Sequence, residues 1–436
     1  MSASRSYGRG AAILSVGIGV TGLITYAYFA LASHSLPEAE YGRISLLWSS
    51  VFIVVSVLYR PVEQLLSRTI ADRAARGQTG SSHLRVAATI QLGLGVLFVV
   101  VALAFRHKLE DDLFDGQTTL YWILVVAVLC YAASYFARGF LAGSRMFGLY
   151  GGLVFIESVA RASFALAVAI GIASGQDVTA MGIAAAPLLS LVVVPWALGG
   201  HLRSRADAIV EPKEIGGEPD AADPEFTLAH GAGFAAAVLL IMVCEQTIYN
   251  AGPLLIKATE SPAAEASALA GFAFNVLLIA RAPLQLFQAV QTSILPHLTT
   301  LRATGDTDPF RRSVQVTLIA IAVFAGLVAL AMAALGPTIM HLAFGGNFHY
   351  PRGGLVMIAA GMGFYLSAAT LNQAALAHAQ ALQAAVAWGI TAIGFVVWLL
   401  LPGFDDRVLQ LETGYLGAAG LLCVLLYGLY RRSLSE

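Results

Sequence analysis

Long apolar runs recur along this chain, each about the length of a bilayer crossing and each separated from the next by a short polar or turn-forming stretch. A segment in hydrocarbon must satisfy its backbone hydrogen bonds within itself, so runs of this kind fold as helices that cross the membrane. At about 20 apolar residues per crossing, the 436 residues hold twelve spans. Hydropathy places them at about 9–34, 41–70, 83–106, 117–140, 148–172 and 180–200, then at about 229–257, 265–301, 311–335, 353–378, 381–401 and 414–430. Composition agrees, because 58% hydrophobic residues, 12% charged residues and a mean hydropathy of +0.76 lie outside the range of soluble globular domains. The expected fold is an all-α polytopic membrane protein. The first run is span-length and lacks a small-residue cleavage site, so it reads as a span rather than a cleaved signal peptide.

One polar segment is long enough to divide the chain. Residues 201–228 begin HLRSRADAIVEPKEIGGEPDAADPEF, with seven acidic residues and three prolines, and cannot bury a core. The expected organisation is a six-helix lobe over 1–200, an acidic cytoplasmic linker over 201–228 and a second six-helix lobe over 229–436. Basic residues in the short loops set the orientation. With the N-terminus inside, 16 Lys and Arg fall on the cytoplasmic side and 6 on the other, which puts both termini in the cytoplasm.

Against this apolar background, Arg60, Glu63, Glu157, Arg161, Glu245 and Arg281 fall inside expected spans. Charge at that depth is costly and ordinarily faces an interior cavity or a partner, marking a path for something polar. Each has a structural reading too. Arg60 and Glu63 lie one turn apart and can lock a kinked helix, and Glu157 and Arg161 are four apart and can neutralise each other. Glu245 has no charged neighbour on its own span, so it is either held neutral by desolvation or poised to exchange a proton or sodium ion. Arg281 has no acid within helical reach.

The halves echo one another in corresponding spans. Span 2 carries Arg60, Pro61, Glu63, Gln64 and Ser67; span 8 carries Arg281, Pro283, Gln285, Gln288 and Thr292. In each, an arginine within two residues of a proline opens a polar stripe at helical spacing. The end of span 4, YFARGFLAGSRMFGLYGG, likewise corresponds to the end of span 10, ATLNQAALAHAQALQAAV. A parallel repeat of this kind implies two lobes related by a pseudo-twofold axis, with a site between them.

Several segments carry a family resemblance: a glycine-rich first helix, LPEAEYGRISLL, a long second helix ending RTIADRAARG, the turn RGFLAGSRMFGLY, then SILPHLTTLRATGD and FGGNFHYPRGGLVMIAAGMGFYLSAATLNQAALAHAQ. The chain resembles, over nearly its whole length, the polysaccharide (O-antigen-type, lipid-linked oligosaccharide) flippases of the multidrug/oligosaccharidyl-lipid/polysaccharide (MOP) exporter superfamily. The resemblance implies a secondary transporter of the bacterial inner membrane. Such a protein flips a polyprenyl-pyrophosphate-linked glycan to the outer leaflet by alternating access, for cell-surface polysaccharide biosynthesis. It also implies membrane lipid as a partner, and by family analogy a polysaccharide polymerase or glycosyltransferase. The lipid II flippases of the superfamily carry two further C-terminal helices that this chain lacks.

The chemistry of that task suits these residues. Guanidinium groups meet pyrophosphate oxygens through paired, charge-assisted hydrogen bonds, so Arg60 and Arg281, one from each half, form the expected clamp. Arg161, Gln64, Gln285, Gln288 and Asn372 complete the expected substrate-binding set, and Glu245, Glu157 and Glu63 the ion-coupling set. No metal, cofactor or nucleic-acid partner is expected. The three cysteines show no ligand spacing, and the lysines, Lys108, Lys213 and Lys257, sit in no P-loop context. The acidic DDLFDG turn reads as solvated rather than as a calcium loop. Two other classes compete with a flippase. An ion-coupled drug or metabolite antiporter of the same superfamily would want a net-negative cavity for cations, whereas three arginines here balance three glutamates. A membrane-embedded transferase would place acidic or His clusters at a membrane surface, and none stands out, so no enzyme is expected.

Overall fold

The computed structural model describes residues 2–75, 82–196, 228–281, 307–345, 350–378 and 380–433, and in them the chain is all helix with no strand. Among the described residues twelve long helices follow one another: α1 (Ser2–Ser35), α2 (Glu38–Leu58 and Arg60–Ala75), α3 (Ser82–Ala104), α4 (Thr118–Gly143), α5 (Phe147–Ala169), α6 (Gln176–Trp196), α7 (Leu228–Thr259), α8 (Ala263–Arg281), α9 (Thr307–Phe344), α10 (Arg352–Ala377), α11 (Ala381–Leu400) and α12 (Arg407–Ser433). Eleven of these, α2 to α12, contain stretches long and apolar enough to cross a membrane, so this is a multi-pass membrane protein. The acidic linker at 201–228 lies outside the described residues except for Leu228, which opens α7.

Local chemistry explains where the boundaries depart from expectation. Helix α2 breaks at Tyr59 into Glu38–Leu58 and Arg60–Ala75, because Pro61 has no N–H to return to the preceding turn. Helix α9 passes through Gly336 and Pro337, where the sequence predicts a stop, and continues to Phe344. Helix α12 starts at Arg407, earlier than expected, because the chain buries Glu412 completely instead of leaving it in a loop.

Packing repeats with an offset of six helices. In the first lobe α5 packs on α1 and α6, and α4 on α3 and α6; in the second α11 packs on α7 and α12, and α10 on α9 and α12. Burial repeats too: α3 and α9, the third helix of each lobe, are the most lipid-exposed, with 28% and 17% of their apolar windows buried, whereas α4 and α10 reach 61% and 72%. Small residues allow the close approaches. Gly139 and Gly143 of α4 sit on the backbone of Glu63 and Ser67 in α2, as the small-face spacing suggests. Gly148 and Gly152, which have the same spacing, face open space instead.

The lobes meet along a seam made by α1 and α2 on one side and α7 to α9 on the other. Gly42 and Gly271 let α2 and α8 touch backbone to backbone, where a Cβ on Gly42 would run into the Ser267 carbonyl. Phe29 packs on Phe274 with ring centroids 4.7 Å apart. Tyr41 donates to Asn275, Tyr26 to the Leu278 carbonyl, and Ser33 to the Phe344 carbonyl. At the far end Asp115 ties the lobes together: it accepts from Arg43 at 3.0 Å and from Ser267 at 2.8 Å, and is paired with Lys257. Burial opposes a charge on Asp115, but the bonds from Lys257, Ser267 and Arg43 outweigh it and hold the carboxyl below the usual carboxylate range. The DDLFDG turn is thus only partly solvated: Asp111 and Asp112 are exposed, whereas Asp115 latches the seam.

Candidate functional site

Beyond the seam, α1, α2, α4, α5, α7 and α8 enclose a cavity of about 460 Å³ that is lined by both lobes. Its floor and walls carry Arg60, Glu63, Gln64, Glu157, Arg161, Glu245 and Arg281, so seven of the ten residues singled out from the sequence converge there. Gln285 and Gln288 lie outside the described residues. Asn372 is not brought to the cavity: it is buried in the second lobe, where its Oδ1 accepts from Trp388 Nε1 at 3.1 Å.

The first lobe contributes a knot centred on Glu157, which is 4% exposed. Its carboxylate takes hydrogen bonds from Tyr131 at 3.1 Å and Ser134 at 3.2 Å, and an ion-pair hydrogen bond from Arg138. Arg161, the partner expected four residues along, stands off at 3.9 Å. It donates instead to Tyr131 and Thr25 Oγ1, both at 3.2 Å, while its guanidinium lies 4.4 Å above the Trp48 ring. A buried carboxylate shared between two arginines and two hydroxyls is well compensated. The expected Glu157–Arg161 pair is therefore the weaker half of a triad.

Arg138 is the principal addition. Its place near the end of span 4 puts it with the basic rim in the sequence reading, but α4 runs on to Gly143 and carries it inside. The signal was available: Tyr131, Ser134 and Arg138 follow one another at three and four residues, so they share the face of α4 that meets Glu157. With Arg138 the described residues of the cavity comprise four arginines against three glutamates, which corrects the expected balance. Glu412 is a second charge the sequence reading passed over. It is fully buried in α12 against Gly354, and neither carboxyl oxygen has a hydrogen-bond partner among the described residues.

The two arginines expected to form a clamp differ from those in the knot. Arg60 begins the second segment of α2 and makes no hydrogen bond or ion pair within 4.0 Å among the described residues; Glu245, across the lobe interface, and Glu63, one turn on, are its electrostatic partners. Glu63 accepts from Tyr150 at 3.1 Å, which leaves the expected Arg60–Glu63 lock loose. Arg281, at the end of α8, donates to Asn250 Oδ1 at 3.0 Å and to the Tyr249 carbonyl, with Phe274 4.7 Å beneath it, and has no carboxylate within 4.0 Å among the described residues. Asn250 is itself set by Gln246, whose Oε1 accepts from it at 3.1 Å. Among the described residues the Nε of Arg281, like those of Arg138 and Arg161, has no acceptor. The Arg281 guanidinium, with a donor to spare and held on an aromatic ring and neutral oxygens, suits an anionic ligand. Among the described residues no group of three His, Cys, Asp or Glu is placed to hold a metal.

No protein-family model matches the chain, and no curated protein resembles it in sequence. Solved structures do share its fold. An inward-facing multidrug-resistance MATE-family transporter of the MOP superfamily aligns over 97% of this chain and 98% of its own, with a TM-score of 0.66 and 11% identity. The lipid II flippase MurJ in an inward closed conformation aligns over 96% and 87%, with a TM-score of 0.64 and 12% identity. A point mutant of the Vibrio cholerae MATE transporter VcmN aligns over 100% and 99%, with a TM-score of 0.58 and 14% identity. The chain thus has the two-lobed helical fold of MOP-superfamily transporters.

Proposed function

We propose that the protein is a secondary transporter that flips a polyprenyl-pyrophosphate-linked oligosaccharide from the inner to the outer leaflet of the bacterial inner membrane by alternating access, with both termini in the cytoplasm. The observation that carries this reading is the placement of Arg60 and Arg281, one from each lobe, in a cavity with one more arginine than glutamate, where neither is consumed by a close carboxylate. A pyrophosphate bridging the two would be gripped by both lobes at once, as a rocking mechanism requires. The cavity volume suits a ligand headgroup and its first sugars, with Gln64 and Arg161 as neighbouring donors. The polyprenyl tail stays in lipid. Gln285 and Gln288, which follow Arg281 in sequence, remain part of the proposed substrate-binding set, whereas Asn372 is withdrawn from it.

Coupling follows from competition. Glu245 and an entering phosphate both attract Arg60, so protonating Glu245, or giving it a sodium ion, frees the guanidinium for substrate. Glu63 and Glu157 would set the field around that exchange, Glu157 from within its knot. Flipping in proteoliposomes tests the function: wild type should move a fluorescent polyprenyl-pyrophosphate oligosaccharide between leaflets, and no movement under any ion gradient would refute it. A second reading, an ion-coupled antiporter of drugs or metabolites, draws support from the fold shared with a multidrug-resistance transporter. It would be favoured if organic cations, and no pyrophosphate lipid, were moved.

A further inference from the structure

A second built pocket lies away from the central cavity and shares no residue with it. The first turns of α9 and the last turns of α12 form a groove of about 800 Å³ between Arg311, Gln315 and Ile319 on one side and Tyr427, Tyr430 and Arg431 on the other. Arg311 and Arg431 are both exposed, and neither forms an ion pair among the described residues. The described residues lining the groove include no carboxylate. Tyr430 is 4% exposed, yet its hydroxyl has no hydrogen-bond partner among the described residues, and Arg311 is the cation acting on it. Phe310 stacks on the Tyr430 ring, 6.4 Å between centroids, which fixes that hydroxyl in place.

The groove is amphipathic along its length. Its mouth, at the ends of two spans, is cationic; its wall continues into Val316, Ile319 and Val323 of α9, about 60% exposed on the least buried helix of the described set. A free anion would need only the mouth. The apolar wall needs a ligand with a hydrocarbon chain, and two arginines with no carboxylate among the described lining residues favour an anionic head over a zwitterionic one carrying its own cation. We infer that this groove binds an anionic phospholipid of the bilayer leaflet at this end of the helices. Arg311 and Arg431 take the phosphate, Tyr430 adds a hydroxyl donor and one acyl chain lies along Ile319.

The test uses the full-length protein in mixed micelles, titrated with phosphatidylglycerol or with phosphatidylcholine of the same chains and read by native mass spectrometry. Wild type is expected to retain the anionic lipid with roughly tenfold preference. In Arg311→Gln/Arg431→Gln that preference should fall to about one, while Arg311→Lys/Arg431→Lys keeps a large part of it because charge, rather than fork geometry alone, draws the lipid. Thermal melts of all three proteins show whether the glutamine variant is folded; if it is not, Tyr430→Phe, which removes only the hydroxyl, should lower retention by a few-fold. No preference in wild type, an undiminished preference in the folded glutamine variant, or equal protection by inorganic phosphate alone would overturn the assignment.

Discussion

The seam and the cavity use the same kinds of residue to opposite ends. At the seam Arg43, Asp115, Lys257 and Ser267 satisfy one another, and Arg43 also reaches Gln176 at 2.8 Å, so the cluster has little left to offer a ligand. In the cavity Arg60 has no close partner among the described residues, and Arg281 rests on an amide, a carbonyl and a ring with Nε unmet. A buried charge whose bonds are complete holds structure together; one whose bonds are incomplete is a cost the fold carries for something that is not always there. The difference sets the latch apart from the proposed binding site without reference to any relative.

The largest effect is expected at Arg281. Arg281→Ala should lower flipping by about 100-fold or more while the protein still inserts and melts normally; near-normal flipping would take this arginine out of the mechanism. Next comes the latch. Asp115→Asn removes the counter-charge of buried Lys257, a loss of about 3–5 kcal/mol for a buried pair, and spin labels placed on the two lobes should report a population separated at that end. Unchanged distances would mean that Asp115 does not hold the seam. Smaller is Gly143→Ala, whose Cβ would meet Ile70 and Ser67 of α2. It should cost about 1–3 kcal/mol of stability, seen as a lower melting temperature, without changing which ligand binds.

Glu245→Gln, which removes the carboxylate that competes for Arg60, should tighten ligand binding modestly and blunt the response of flipping to proton and sodium gradients; an unaltered response would remove Glu245 from coupling. The smallest expected effect sharpens the contrast. Because the folded-state carboxyl of Asp115 titrates below its unfolded value, its contribution is fully present above the ordinary carboxylate pKa and is lost only as pH falls through the lowered one. The latch should therefore be constant between about pH 5 and 8, measured as lobe separation in Asp115→Asn against wild type. A difference that changed with pH in that window would contradict the assigned state of Asp115.

Much of this was legible in the sequence, because periodic hydrophobicity and rare charges report directly on burial in lipid. Arg60, Glu245 and Arg281 stand out on that ground alone, although no local pattern says that Glu245 and Arg60 would face each other across two lobes. Arg138 and Glu412 were missed for one reason: both lie near span ends, where a charge normally reaches water, and only the packing of α4 on α5 and of α12 on α10 takes them inside. Asp115 reads as solvated because its turn looks polar in isolation, and its partner Lys257 comes from the other half of the chain. Asn372 sits within a polar-looking span, but Trp388 answers it locally, a pairing that depends on the α10–α11 hairpin. Tertiary partners decide whether a polar residue is spent or available, and one-dimensional pattern does not contain them.

The central claim is that Arg60 and Arg281 grip one pyrophosphate from two lobes. Binding of a soluble-chain polyprenyl-pyrophosphate oligosaccharide to wild type, Arg60→Ala, Arg281→Ala and the double variant in matched nanodiscs tests it most directly. Each single change should weaken binding by roughly 30- to 1,000-fold, and the double should lose much less than the sum because the second arginine cannot hold the group alone. Wild-type affinity in both single variants, with all four proteins folded, would contradict the account.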